Sequence, residues 1–324
     1  MNVIMYKSNK KLNKSYLKIQ VLIIVIIIII IAISKQEDYK ESYKILTVTD
    51  IHNDIDKVKI LVDKINSTKF DFVFLCGDIV DFPIEKNDSK KMKEYFLSLK
   101  NIFKELERLG HILWVPGNHE YISFFKTKHK KEICKNCENL HKKIKEIGEN
   151  LYVVGLGGSL PVMKSSKGNH NNNILYEGIN IEKNSLKYGG FPYNKNQNDF
   201  EINDNLYIEA LKEIVEKAKK EGGNNIQIIY LTHIGPLNSP TSIINENGEI
   251  LYYGSINFGK QFLKEDKSLI IIHGHSHTSE GCIVIEKKKF IFHPGSLKEE
   301  HYGIIEIVKK NGKWGINNCV ISYL

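Results

Sequence analysis

From Tyr43 onward, short apolar runs rich in β-branched residues alternate with stretches of helical apolar spacing, and no other feature limits the possible folds as much. YKILTVTD (43–50) reads as a strand with a polar end, DKVKILVDKI (56–65) has helical spacing, and FDFVFLCGD (70–78) is again a strand. SKKMKEYFLSLKNIFKELERLG (89–110) predicts a helix closed by Gly110, and HILWVPGNHE (111–120) the next strand. A βαβαβ beginning commits the chain to an α/β class with parallel strands, because parallel neighbours need a crossover between them. Further on, DNLYIEALKEIVEKAKKEGG (204–223) predicts a helix and NIQIIYLTH (225–233) and SLIIIHGH (268–275) predict strands, followed by a series of short strands to Leu324. No internal repeat is present. Residues 165–204, rich in Asn, Gly and Lys, break the rhythm and read as a loop insertion.

The chain has 324 residues, 42% of them hydrophobic and 26% charged, enough to bury a full core, and residues 41–324 read as a single domain. A formal net charge of +8 invites a nucleic-acid partner, but residues 1–40 hold seven lysines against Glu37 and Asp38, so most of the surplus sits in a tail. Arg108 is the only arginine, and the planar forks that grip phosphate and guanine are therefore missing. That pattern disfavours nucleic acid as a partner. Within the tail, Lys7, Lys10, Lys11, Lys14 and Lys18 precede the apolar run Val21–Ile33, the layout of a targeting segment spanning about 17–34. Counted from Tyr16 it reaches roughly 28 Å as a helix, about a thin bilayer, which suits a signal anchor. Ala32 and Ser34 equally supply small residues for a cleavage site, which would make the protein secreted. In either case the lysines stay cytoplasmic and the body is expected to be lumenal or extracellular.

Polar residues collect at the strand ends: Asp50 and His52, Asp78 and Asp81, Asn118 and His119, His233, and His275 and His277. Open parallel sheets place their ligand sites beyond the carboxyl ends of strands, so these groups read as one site. A lone strand-end Asp is usually a turn former and a lone His a satisfied polar residue, but five such groups in one chain are a constellation. A bridging carboxylate with further Asp, Asn and His donors is what two neighbouring divalent cations need. Such a pair acidifies a bridging water, and Asp78 is the natural bridge. Nitrogen and oxygen donors without thiolate suit Mn, Fe, Zn or Ni. Glycines 77, 117 and 274 are expected to let the backbone turn sharply there. Strand alternation would point His275 and His277 the same way and His273 away from the site.

D-x-H at Asp50–His52, G-D-x-x-D at Gly77–Asp81, G-N-H-E at Gly117–Glu120, the solitary His233 and G-H-x-H at Gly274–His277 together resemble the calcineurin-like metallophosphoesterase superfamily. VVGLGGSLP, LTHIGPLNSP, GHSHTSEG and HPGSL are similar to its small Icc-like members. The resemblance implies a metallo-dependent phosphatase fold, a four-layer α-β-β-α sandwich of two mixed β-sheets flanked by helices. It implies one ion on Asp50, His52, Asp78 and His277 and a second on Asp78, Asn118, His233 and His275. It also implies catalytic roles for Asp78 and for His119, which would sit beside the phosphoryl group, with a metal-bridging hydroxide hydrolysing a phosphate mono- or diester. A scaffold of the same fold that binds protein partners, or a nuclease, are the alternatives. The family often has Asn where this chain has His293, which bears on the substrate and not on metal binding.

Five cysteines remain. Cys134 and Cys137 form C-x-x-C between His129 and His141, which suggests a structural zinc, yet Cys137 continues an apolar stripe of Ile133, Leu140, Ile144 and Ile147 and reads as one face of a helix. An odd count leaves at least one thiol unpaired, and the sequence does not pair the others. The N-terminal reading makes a direct prediction: protease added to sealed microsomes spares the body from Tyr43 onward, and digestion without detergent would overturn the lumenal placement.

Overall fold

The computed structural model describes residues 19–24, 40–81, 89–120, 124, 133–160, 163–165, 200–246 and 249–324. The chain divides into two units, Met1–Lys40 and Glu41–Leu324. Most of the expected targeting segment (17–34) and of the Asn-rich insertion lies outside the described residues. Among the described residues no helix is long and apolar enough to cross a membrane.

The second unit begins with β1 (Ser42–Val48), α1 (Ile55–Ile65), β2 (Phe72–Leu75), α2 (Ser89–Leu106) and β3 (His111–Trp114), as the alternation predicts. It continues through β4 (Cys137–Asn139), β5 (Lys143–Gly148), β6 (Leu151–Leu156), β7 (Met163–Ser165), α3 (Phe200–Gly222), β8 (Gln227–Thr232) and β9 (Gly235–Pro236). Then follow β10 (Ile243–Glu246), β11 (Glu249–Tyr252), β12 (Gly254–Ser255), α4 (Ile256–Lys264) and β13 (Ser268–Ile272). The chain closes with β14 (Gly281–Ile285), β15 (Lys289–His293), β16 (His301–Lys310) and β17 (Lys313–Tyr323). Helix α3 starts at Phe200, so it takes in the last residues assigned to the insertion. The closing strands are not all short: β16 and β17 form a hairpin of 10 and 11 residues.

Two six-stranded mixed sheets result, ordered β17-β16-β1-β2-β3-β4 and β14-β15-β13-β8-β6-β5. In the first, β1 to β4 are parallel and β16 and β17 antiparallel. In the second, β6, β8, β13 and β15 are parallel, with β5 and β14 antiparallel at the edges. Period-two alternation sorts each strand between two apolar layers. Ile45, Phe74 and Leu113 join Ile229, Leu231, Ile270 and Ile272 between the sheets. On the outer face of the first sheet, Leu46, Val73 and Ile112 meet Val58, Leu61 and Val62 of α1 and Leu99 and Phe103 of α2. On the outer face of the second, Ile228, Tyr230 and Ile271 meet Leu211 and Val215 of α3 and Phe258 and Phe262 of α4. The order helix, sheet, sheet, helix is the four-layer sandwich.

Helix α1 shows how local sequence sets an element. The Asp54 side chain accepts the Lys57 N–H at 3.1 Å as its N-cap, and Val58, Leu61, Val62 and Ile65 recur on one face that turns inward. The helix expected around Cys137 does not form. Cys137–Asn139 pairs with β3 and Lys143–Gly148 with β6, and between them Lys142 takes a left-handed φ of 56°, which a helix cannot contain. Its apolar residues had helical spacing only because two short strands were read as one element. Cys134 is bonded to Cys137, and both pack against the outer core of the first sheet; His141 accepts the Gly157 N–H through Nδ1 at 3.0 Å, and His129 lies outside the described residues, among which no candidate metal group includes these cysteines.

Trp314, at the start of β17, ties the sheets together at one end. Its ring packs on Tyr43 at 5.4 Å, its indole N–H donates to the Glu149 carbonyl at 2.8 Å, and its own carbonyl accepts the Gln227 side-chain N–H at 2.7 Å. Trp314→Ala would open a cavity there and lower stability by about 3–5 kcal/mol. Denaturant unfolding should show an earlier midpoint with an unchanged slope.

Candidate metal centre

Every group of polar residues expected at a strand end sits where a parallel strand gives way to a loop. The loops after β1 and β2 are zipped together: the N–H groups of Ile51 and His52 both donate to the Asp78 carbonyl, at 2.8 and 3.1 Å, and the Asp50 N–H to the Gly77 carbonyl at 3.1 Å. Asp50, His52, Asp78, His275 and His277 all adopt positive φ, between 46° and 77°. Asp and His tolerate this region better than most residues, though at a cost, and clustered left-handed residues mark sites where surrounding contacts impose the geometry. His275 and His277 therefore do not project as neighbours on an extended strand. The chain leaves extension after Ile272 and each imidazole reaches a different group.

Three groups have candidate donor atoms within 4.8 Å of one another: first Asp50, His52 and His277, second Asp78, His233 and His275, and third His52, Asp81 and His119, which shares His52 with the first. In the first, His277 Nε2 is 3.5 Å from Asp50 Oδ1 and 3.2 Å from His52 Nε2. In the second, His233 Nε2 is 3.3 Å from Asp78 Oδ2 and 2.9 Å from Asn118 Oδ1, and its Nδ1 donates to the Cys76 carbonyl at 2.7 Å. That last bond fixes the tautomer and leaves Nε2 for the site. The structure thus brings together all seven sequence-predicted ligand residues. His273 is turned away: its Nε2 meets Thr241 Oγ1 at 2.9 Å in a buried hydroxyl network.

Asp50 and Asp78 are almost wholly buried, and burial works against their charge. The His277 hydrogen bond and the His233 charge outweigh it at Asp50, and the charges of His233, His119 and His52 outweigh it at Asp78, so both carboxyls are held below the usual range. The imidazoles show the reciprocal effect. Burial disfavours protonation of His233, yet Asp78 raises it to about 9; burial likewise opposes protonation of His119, and Asp78 and Asp81 raise it to about 9. His275 goes the other way, pushed down to about 3 by burial and then by the His233 charge. Its buried Nε2 has no hydrogen-bond partner. A buried nitrogen held neutral and unpaired beside two carboxylates, with only nitrogen and oxygen donors around it, fits a divalent cation of the Mn, Fe, Zn or Ni kind. Histidine ligands must be neutral, so loading such ions would displace protons from this cluster.

Two residues carry more than their motifs suggested. Asp81 lies 2.7 Å from His52 Nδ1 and 2.8 Å from His119 Nδ1, so the second acid of G-D-x-x-D orients two imidazoles at once. Glu120 is fully buried, and its carboxylate accepts the backbone N–H groups of Asp78, Ile79, Val80 and Gly117. Burial, then the nearby Asp78 charge, raises Glu120 to about 7 against those bonds. The spacing of G-N-H-E contained this signal, since an acid two residues past a ligand in a buried loop needs a cluster of donors. The glycines also act differently from expectation. Gly77, at φ 94°, makes a turn, but a Cβ on Gly117 would fall 2.1 Å from Asp78 Oδ1 and one on Gly274 1.9 Å from Thr49 Oγ1. Those two permit close approach between loops.

Glu120→Gln tests the clamp. An amide offers one acceptor oxygen and turns an NH2 group toward backbone donors, so the variant should lose about 2–4 kcal/mol of stability. It should also weaken cation uptake, because the Asp78 turn is no longer held; equilibrium unfolding and metal titration by calorimetry measure the two losses.

A sequence model of the family described as calcineurin-like phosphoesterase matches residues 43–279. Over 82 residues the chain is 37% identical to proteins described as uncharacterized metallophosphoesterases in Helicobacter pylori strains 26695 and J99. That stretch is 24% of this chain and 20% of each relative, so the match spans about a fifth of the curated relatives' length. Among solved structures, TT1561 of Thermus thermophilus is similar in fold, with a TM-score of 0.50 at 15% identity over 85% of this chain and 98% of that one. The family match covers most of the second unit and every strand end that carries the site, and the chain belongs to the calcineurin-like phosphoesterase family.

Proposed function

We propose that the protein is a metal-dependent hydrolase of a phosphate mono- or diester that uses two divalent cations. The observation that supports it best is the completeness of the donor set: Asp50, His52 and His277 in one group, Asp78, His233 and His275 in another, with Asn118 beside the second. Asp78 is the bridging residue of this reading, because it feels charges from members of both groups. Bound there, two such ions would neutralise phosphoryl oxygens and acidify a water. No arginine is needed for that neutralisation, and Arg108 is ion-paired to Glu105 at the end of α2.

The chain's own residues supply position and a proton. His119 stands half-buried at the site with its Nδ1 held by Asp81, its backbone N–H donating to Asp78 Oδ1 at 2.9 Å, and its Nε2 4.0 Å from Asp78 Oδ2. With Nδ1 held by Asp81, the ring can move a proton only through Nε2. His119 would therefore protonate the departing oxygen. A scaffold that keeps the fold without turnover has no need for the paired set of His119, Asp81 and His52, and elemental analysis with a phosphoester panel separates the two readings.

Two substitutions divide assembly from chemistry. Asp78→Asn should lose metal content and activity together. His119→Ala should retain metal while turnover falls roughly 10²- to 10⁴-fold, the range of general acid catalysis. The loss should be smaller on an aryl ester with an acidic phenol than on an alkyl ester; equal losses would remove the general-acid role, and loss of metal would make His119 a ligand.

A further inference from the structure

Two of the five cysteines are bonded to each other, Cys134 and Cys137, and Cys76 is buried under the metal centre. The remaining two are far apart in sequence and meet in space. Cys282 lies on β14, the edge strand of the second sheet, and Cys319 on β17, the edge strand of the first. Cα atoms of these two strands come within 8 Å of each other. Register places Cys282 opposite Phe292 and Cys319 opposite Ile305, both residues of the layer between the sheets, and the two cysteines pack on that same layer with Ile316 and Ile321. Each thiol is the largest influence on the other's titration, drawing Cys282 down and pushing Cys319 up. Both are half-buried, which leaves them reachable in a way Cys76 is not.

We propose that Cys282 and Cys319 form a thiol–disulfide exchange site that staples the two sheets along their shared edge on reaction with a small disulfide such as oxidised glutathione. The thiolate of one cysteine attacks a sulfur of the external disulfide, which breaks and releases one thiolate. The second cysteine, as thiolate, attacks the resulting mixed disulfide and expels the other. Two protein thiols are oxidised to one disulfide, one external disulfide is reduced to two thiols, and the two protons pass from the protein to the leaving groups.

The location gives the bond its effect. Sheet edges carry unpaired backbone groups and are the parts of a sandwich most prone to open or to pair with another chain. Each of these edge strands is joined to its own sheet by one neighbour, so a covalent link between them would restrain both. The link would also close a loop through β15, β16 and most of β17, removing many open conformations from the unfolded chain. With that pair made, the odd cysteine of the sequence is Cys76, whose burial shields it from the same reagent.

The test uses the full chain carrying Cys134→Ser and Cys137→Ser, so that the other bonded pair cannot contribute. After incubation with oxidised glutathione and digestion without reduction, mass spectrometry should find the Cys282 and Cys319 peptides linked and lighter by two hydrogens. The oxidised form should unfold about 5–10 °C above the reduced form. Adding Cys282→Ser should abolish both the link and the thermal difference while the circular dichroism stays native. If the serine background fails to fold, the same peptide map on the unsubstituted chain decides the matter. Recovery of both cysteines as free thiols, or each carrying its own glutathione, in natively folded protein would overturn the proposal; so would a link that forms only in denaturant.

Discussion

Two buried carboxylates, Asp50 and Asp78, end neighbouring parallel strands, and much of the surrounding structure exists to keep both ionised. In an apolar interior a lone carboxylate would take up a proton. Here each has an array of donors and cations around it. Asp50 Oδ2 accepts the Thr49 hydroxyl at 2.7 Å and the His275 N–H at 3.0 Å, the second from a loop of the other sheet. Its carbonyl accepts the Ser296 hydroxyl at 2.8 Å and the Lys298 N–H at 3.2 Å, from the loop after β15. The two sheets are thus joined at the carboxyl ends of their strands by the polar contacts that surround the acids, while apolar packing joins them along their length. Glu120 and the close approaches at Gly117 and Gly274 belong to the same requirement: only loops in near contact can exclude water and still supply the bonds.

That requirement explains what could be read from residues and what could not. Period-two and helical spacing located the strands and helices of the first half, because burial sorts side chains by face and the sequence records the sorting. The seven candidate ligands were legible because parallel strands all deliver their ends to one side of a sheet. Strand alternation predicted that His275 and His277 would share a direction; they do reach the site, but through left-handed turns that send them to separate groups. Ile133–Ile147 misled for a related reason: its apolar spacing carries no mark of the turn at Lys142. Asp81 and Glu120 were visible within their motifs, yet their work is done on atoms about 30 or 40 residues away in the chain, which spacing cannot express.

The second layer of histidines shows how the site's charge is limited. His273 and His293 are fully buried with rings 5.0 Å apart, behind the loop that carries His275 and His277. Burial pushes His273 down to about 4, and burial with the neighbouring His273 pushes His293 far below its ordinary value. They differ from His233 in their partners: His233 faces the Asp78 carboxylate, whereas these two face hydroxyls and backbone. His273 meets Thr241, and His293 accepts the Gly295 N–H at 3.2 Å and lies 3.4 Å from Ser276 Oγ. Neutral rings can serve as acceptors in this network, which a protonated imidazole could not. They also add no positive charge behind residues proposed to receive two divalent cations. The replacement of the family's frequent Asn by His293 is compatible with metal binding on this account, because what the position requires is a neutral acceptor for the Gly295 N–H, and a buried imidazole kept unprotonated provides one.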